Sequence, residues 1–126
     1  MTYAHANKNY FEEGLLLYKK KQFDKAKFKF EQDIVFNPKS EKSYLFLSKI
    51  YKEEKNTRLE EKNLNTVILL NPKNEEANYN LARLKLLESD FSKSKKLIDE
   101  LLNFCVDFCK KSQKLKIEIE NSQKNK

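Results

Sequence analysis

The 126-residue chain reads as an all-α protein of three helix pairs followed by a C-terminal capping helix. Three observations predict this. The tripeptide Asn37-Pro38-Lys39 returns as Asn71-Pro72-Lys73, a shift of 34 residues, and much of the chain aligns under the same shift. Within each recurrence the apolar residues follow the three- and four-residue spacing of a helix face. The chain holds one Gly and two Pro, too few for the many tight turns of an all-β fold.

Six rows carry the repeat. Small residues coincide at Gly14, Ser48 and Ala82, and apolar ones at Leu16, Ile50 and Leu84. The remaining rows are Phe11, Leu45, Tyr79; Phe30, Leu64, Ile98; Ile34, Ile68, Leu102; and Phe36, Leu70, Phe104. Each recurrence divides into two helices, expected at about 7–20 and 23–36, 40–54 and 57–70, and 74–88 and 91–104. Gln22 marks the first bend. Pro38 and Pro72 end their pairs, because proline disfavours a helical residue before it and lacks the N–H that a helix interior needs. Ser40 and Asn74 are candidate N-caps, and Glu75 and Glu76 suit the positive end of a helix dipole. The small row, with Ala26 and Ser94 on the second helices, permits close helix crossings.

The third recurrence has Val106 where the others have proline. Beyond it the repeat fades, since the shift would place Lys116 in the small row. Cys105, Phe108, Ser112, Leu115 and Ile119 still form one apolar stripe, which suits a capping helix over about 107–122 with one wet face. No Gly or Pro separates it from the helix before, so one long helix over about 91–121 is the rival. Asn121 to Lys126 are expected to fray.

Composition bounds the partners. Charged residues make up 36% of the chain and the formal net charge is +7. The basic residues are 24 Lys and two Arg, Arg58 and Arg83, interleaved with Glu. Arg is the residue whose planar fork fits phosphate and guanine, so nucleic acid is a disfavoured partner and A-rich codons account for the Lys and Asn surplus. The apolar run Val67 to Leu70 is far too short to span a bilayer, and Met1 to Lys8 lacks an apolar signal core. A cytoplasmic location is expected, without membrane association. Cys105 and Cys109 are expected to be small buried thiols, which weakly favours a reducing compartment.

No catalytic constellation is visible. His5 stands alone near the terminus, and no Gly-rich loop could cradle phosphate. Paired Glu at 12–13 and 60–61 reads as helix-surface solvation. The chain is expected to use no metal and no cofactor, and not to be an enzyme.

The residues Tyr10, Gly14, Leu17, Phe23, Ala26, Phe30 and Pro38 resemble one tetratricopeptide repeat. Tyr44, Leu47, Ser48, Tyr51, Leu64 and Pro72 resemble a second, and Leu81, Ala82, Phe91, Ser94 and Ile98 a third. The resemblance covers repeats at about 7–40, 41–74 and 75–106 of a single domain and implies a right-handed α-α superhelix. Departures are Thr57 and Glu60, which leave the fourth helix prone to loose packing, and Glu13, which stands at an apolar position. The resemblance also implies a protein-interaction scaffold that takes a peptide or partner helix in a concave groove. That groove would be lined by Lys8, Phe11, Leu15 and Tyr18; by Leu45, Phe46, Lys49 and Lys52; and by Tyr79, Asn80, Arg83 and Leu86. Lys49, Lys52 and Arg83 suit an acidic segment. Chaperone C-terminal tails are disfavoured, because Phe11, Leu15, Phe46, Glu76 and Asn80 occupy the positions that clamp a carboxylate in that subclass. A homodimer, or a nucleic-acid-associated accessory role, is the alternative.

Overall fold

The computed structural model describes residues 9–125. The described residues form seven helices and no strand: α1 (Tyr10–Lys19), α2 (Phe23–Phe36), α3 (Glu41–Glu53), α4 (Thr57–Leu70), α5 (Glu75–Leu87), α6 (Phe91–Phe104) and α7 (Cys109–Lys124). Three pairs and a C-terminal helix are therefore present. The chain divides into two compact units, residues 1–60 and residues 61–126.

The repeat is kept to the residue. Helices α2, α4 and α6 begin at positions 23, 57 and 91, and α3, α5 and α7 at 41, 75 and 109. The bends inside the pairs are equally regular. Lys21, Lys55 and Ser89 each adopt φ near +60°. Each closes a Schellman turn, in which the next residue's N–H reaches back five positions: Gln22 to the Leu17 carbonyl at 2.9 Å, Asn56 to Tyr51 at 2.8 Å and Asp90 to Lys85 at 2.8 Å. Glycine is the usual residue there, yet none of the three is glycine. The only Gly, Gly14, serves packing instead.

In the first unit α2 lies against both α1 and α3. Its core is Ala26, Phe30, Leu47 and Ile50. A methyl group at Gly14 would sit 2.7 Å from Phe30 Cε1, so the small residue is what lets the Phe30 ring fill the crossing. Glu13 is accommodated by an ion pair with Lys29 at 2.8 Å. Asp33 is buried and accepts from Ser43 Oγ at 2.5 Å, tying α2 to α3.

In the second unit α6 lies against α5 and α7, and α5 also meets α7. The core is Ala82, Ile98, Leu101, Leu115 and Ile119. Ser94 Oγ donates to the Ala82 carbonyl at 2.7 Å, a buried hydrogen bond at the α5–α6 crossing. Despite Thr57 and Glu60, α4 runs its full length, with Leu64 and Val67 fully buried and Glu60 buried too.

Several expectations are corrected. Ser40 stands at the N-cap position of α3, but its side chain makes no cap bond. Asn74 does cap α5, accepting from the Ala77 N–H at 2.9 Å. The long-helix rival fails, because α6 ends at Phe104 and the chain turns before α7 starts at Cys109. Lys116 lies on the wet side of α7 and pairs with Asp99 at 3.0 Å, while Leu115 and Ile119 are buried. Helix α7 continues to Lys124, past the expected fraying point. Cys105 and Cys109 are not free thiols; they form a disulfide.

Candidate partner-binding site

The first unit gathers its half-buried aromatics around Phe46. Its ring lies 5.8 Å from Phe11, 5.0 Å from Tyr18 and 5.5 Å from Phe30. Phe23 extends the group through Tyr18 at 5.4 Å. Helix periodicity explains the convergence: Phe11, Leu15 and Tyr18 share one face of α1, and Lys42, Phe46 and Lys49 one face of α3. Two ammonium groups cover the rings. Lys49 Nζ stands 4.6 Å from the Phe46 centroid and Lys42 Nζ 5.7 Å from that of Phe11. This is the geometry of a cation attracted to the negative face of a ring.

Phe11, Leu15, Tyr18, Phe46 and Lys49 are half-buried and Lys52 is exposed. Leu45 is only 8% exposed and has little surface to offer a ligand. Lys8 lies outside the described residues. On α5 of the second unit, Tyr79, Asn80, Arg83 and Leu86 are half-buried. Of these, Tyr79 and Leu86 also pack on the core, and the Tyr79 ring lies 5.6 Å from Phe108.

Sequence reasoning missed two features. Lys42 belongs with the aromatic group, and its place one helical turn before Phe46 was the available signal. The second is Glu75. Its Oε1 accepts three successive backbone N–H groups, from Val106 at 2.9 Å, Asp107 at 3.0 Å and Phe108 at 2.8 Å. The Phe108 N–H, followed by the other two, lowers the Glu75 carboxyl below its ordinary value. Nothing local in the sequence announces a partner some thirty residues away.

Ion pairs engage other cations. Lys85 is buried between Glu61, at 2.9 Å, and Glu88, at 3.1 Å. The hydrogen bond with Glu61 is the main reason its ammonium is held above the ordinary lysine value. Lys27 is raised likewise by its 2.7 Å bond to Glu54.

No family model and no curated protein matches the sequence. Solved structures do match. The type III secretion translocator chaperone SycD of Yersinia enterocolitica superposes with a TM-score of 0.82 at 12% identity, over 98% of this chain and 94% of its own. The fold is tetratricopeptide-like. The first TPR of Spaghetti (RPAP3), bound to the HSP90 peptide SRMEEVD, gives 0.80 at 16% identity over 90% of both chains. MamA gives 0.79 at 16% identity, over 90% of this chain and 62% of its own. Identities this low carry the fold and leave the ligand to this chain's own side chains. Among the described residues no helix is long and apolar enough to cross a membrane.

Proposed function

We propose that the chain is a protein-interaction module that binds an acidic peptide segment with an apolar or aromatic anchor, without catalysis. The observation that carries this reading is the Phe11–Tyr18–Phe46 group with Lys42 and Lys49 over its rings. Half-buried aromatics supply contact area at low entropic cost, and the ammonium groups favour carboxylates. Lys52 adds charge on α3, and α5 offers a second row of its own in Tyr79, Asn80, Arg83 and Leu86. Chaperone tails remain disfavoured ligands, because Phe11 and Phe46 replace polar clamp residues and Glu76 repels a carboxylate. A single-domain organisation and a cytoplasmic location belong to the same reading. Fractionation of the native cell, with detection of the chain in each fraction, tests the location.

Panning displayed random peptides against the immobilised chain tests the ligand class. The expected consensus is Asp/Glu-rich around an apolar or aromatic residue, and Lys42→Glu/Lys49→Glu should weaken its binding at least tenfold. A basic consensus, or none, would overturn the reading. A full-length dimer in light scattering would favour the self-association alternative. Tight DNA or RNA binding at physiological salt would favour the nucleic-acid one.

A further inference from the structure

Proline closes the first two pairs, and its effect is local and permanent. At the third closure Val106 stands in that place, yet Cys105 before it is extended, with φ −64° and ψ 152°. No residue between Cys105 and Phe108 breaks a helix by its own nature. Two clamps hold the turn instead. One is the Glu75 carboxylate, which collects the Val106, Asp107 and Phe108 N–H groups. The other is the Cys105–Cys109 disulfide, which joins the residue after α6 to the first residue of α7. Beyond the turn, α7 presses Leu115 and Ile119 onto Ala82, Ile98 and Leu101.

We propose that the Cys105–Cys109 disulfide is a redox-operated latch on the C-terminal helix, doing reversibly at the third closure what proline does at the first two. Its opening is a thiol–disulfide exchange with a dithiol reductant. The Sγ–Sγ bond breaks, each sulfur gains one electron and one proton, and the dithiol becomes a disulfide. The freed loop regains conformational entropy that the short cross-link had denied it. Undocked α7 uncovers an apolar surface lined by Ala82, Ile98 and Leu101 and offers its own stripe of Leu115 and Ile119. Reduction thereby uncovers this apolar surface of the second unit.

Hydrogen exchange read by mass spectrometry on the full chain, oxidised and then reduced with dithiothreitol, tests the latch. The oxidised chain should show no reactive thiol and the reduced chain two. Exchange in residues 106–124 should then quicken on the order of tenfold or more, with residues 23–53 unchanged. Cys105→Ser/Cys109→Ser should exchange at the fast rate with or without reductant. Val106→Pro removes the N–H that Val106 donates to Glu75 but leaves those of Asp107 and Phe108, and it should keep the slow rate even when reduced, since proline again sets the turn. Thiols that react before reduction, or equal α7 exchange in both states, would overturn the proposal. So would a reduced Val106→Pro chain that exchanges as fast as the reduced parent.

Discussion

The two compact units solve the same packing problem with different chemistry. The first is aromatic: Phe30 is wholly buried, and Phe11, Tyr18, Phe23 and Phe46 gather round it with their outer faces partly open. The second is aliphatic. Ile98, Leu101, Leu115 and Ile119 interlock, and directed polar bonds fix a crossing and the ends: Ser94 to Ala82 at the crossing, Asn78 to the Pro72 carbonyl, and Glu75 to the closing turn. The aliphatic side chains of the second core are covered on all sides, whereas Phe11, Tyr18, Phe23 and Phe46 keep part of each ring outside. The difference is the ground for placing the proposed recognition surface on the first unit and the closing turn on the second.

The sharpest way to break that comparison is at the Gly14–Phe30 contact. Gly14→Ala should cost about 1–3 kcal/mol, because the methyl group overpacks a ring that has nowhere to go. Phe30→Ala should cost about 3–5 kcal/mol through the cavity it leaves. The two losses should not add, since the cavity in Phe30→Ala accepts the new methyl. Chemical denaturation of both single variants and the double variant measures this. Additive losses would mean that the two residues are not in contact.

A smaller effect is expected at Glu75, and it depends on pH. The three N–H groups lower its folded pKa below that of the unfolded chain, which is about 4.3. The stabilisation is therefore fully present above the unfolded value and is lost as pH falls through the folded one. Glu75→Gln should cost on the order of 1 kcal/mol near neutral pH and should abolish the acid-dependent loosening of α7. Amide exchange of residues 106–124 across the acid range is the measurement. An unchanged acid slope in the variant would assign it to another carboxylate.

The pattern of Gly14, Ser48 and Ala82 and the helical spacing made the pairs legible, because close crossings and buried stripes leave periodic traces. Three features left no such trace. Cysteines four apart fit two thiols on one helix face as well as a disulfide across a turn, and only the break after Phe104 decides between them. Glu75 at a helix start looks like a dipole partner, while its N–H donors come from the far end of the pair. The left-handed bends were hidden because Lys21, Lys55 and Ser89 stand where glycine would have flagged them. In the candidate site, helix spacing made Phe11, Tyr18 and Phe46 legible. The burial of Leu45 was not legible, because its row does not say how far a neighbouring helix covers it.

Those bends supply the smallest expected effect, and one of opposite sign. An L-residue in the left-handed region carries a steric cost that glycine escapes. Lys55→Gly in the first unit and Ser89→Gly in the second should each stabilise by about 0.5–1 kcal/mol, less the entropy glycine adds to the unfolded chain. Thermal melts of the two variants compare the units directly. A loss at either bend would show that its side chain contributes more than its backbone costs.

The strict spacing of the helix starts has an evolutionary reading. The stretch 41–74 begins at one helix start and ends just before its counterpart at Glu75, and the Asn-Pro-Lys tripeptide stands ahead of both starts. Duplicating or excising that stretch would join ends that already carry the right turn chemistry. The length of such a gene can therefore change by whole 34-codon blocks without inventing a new joint.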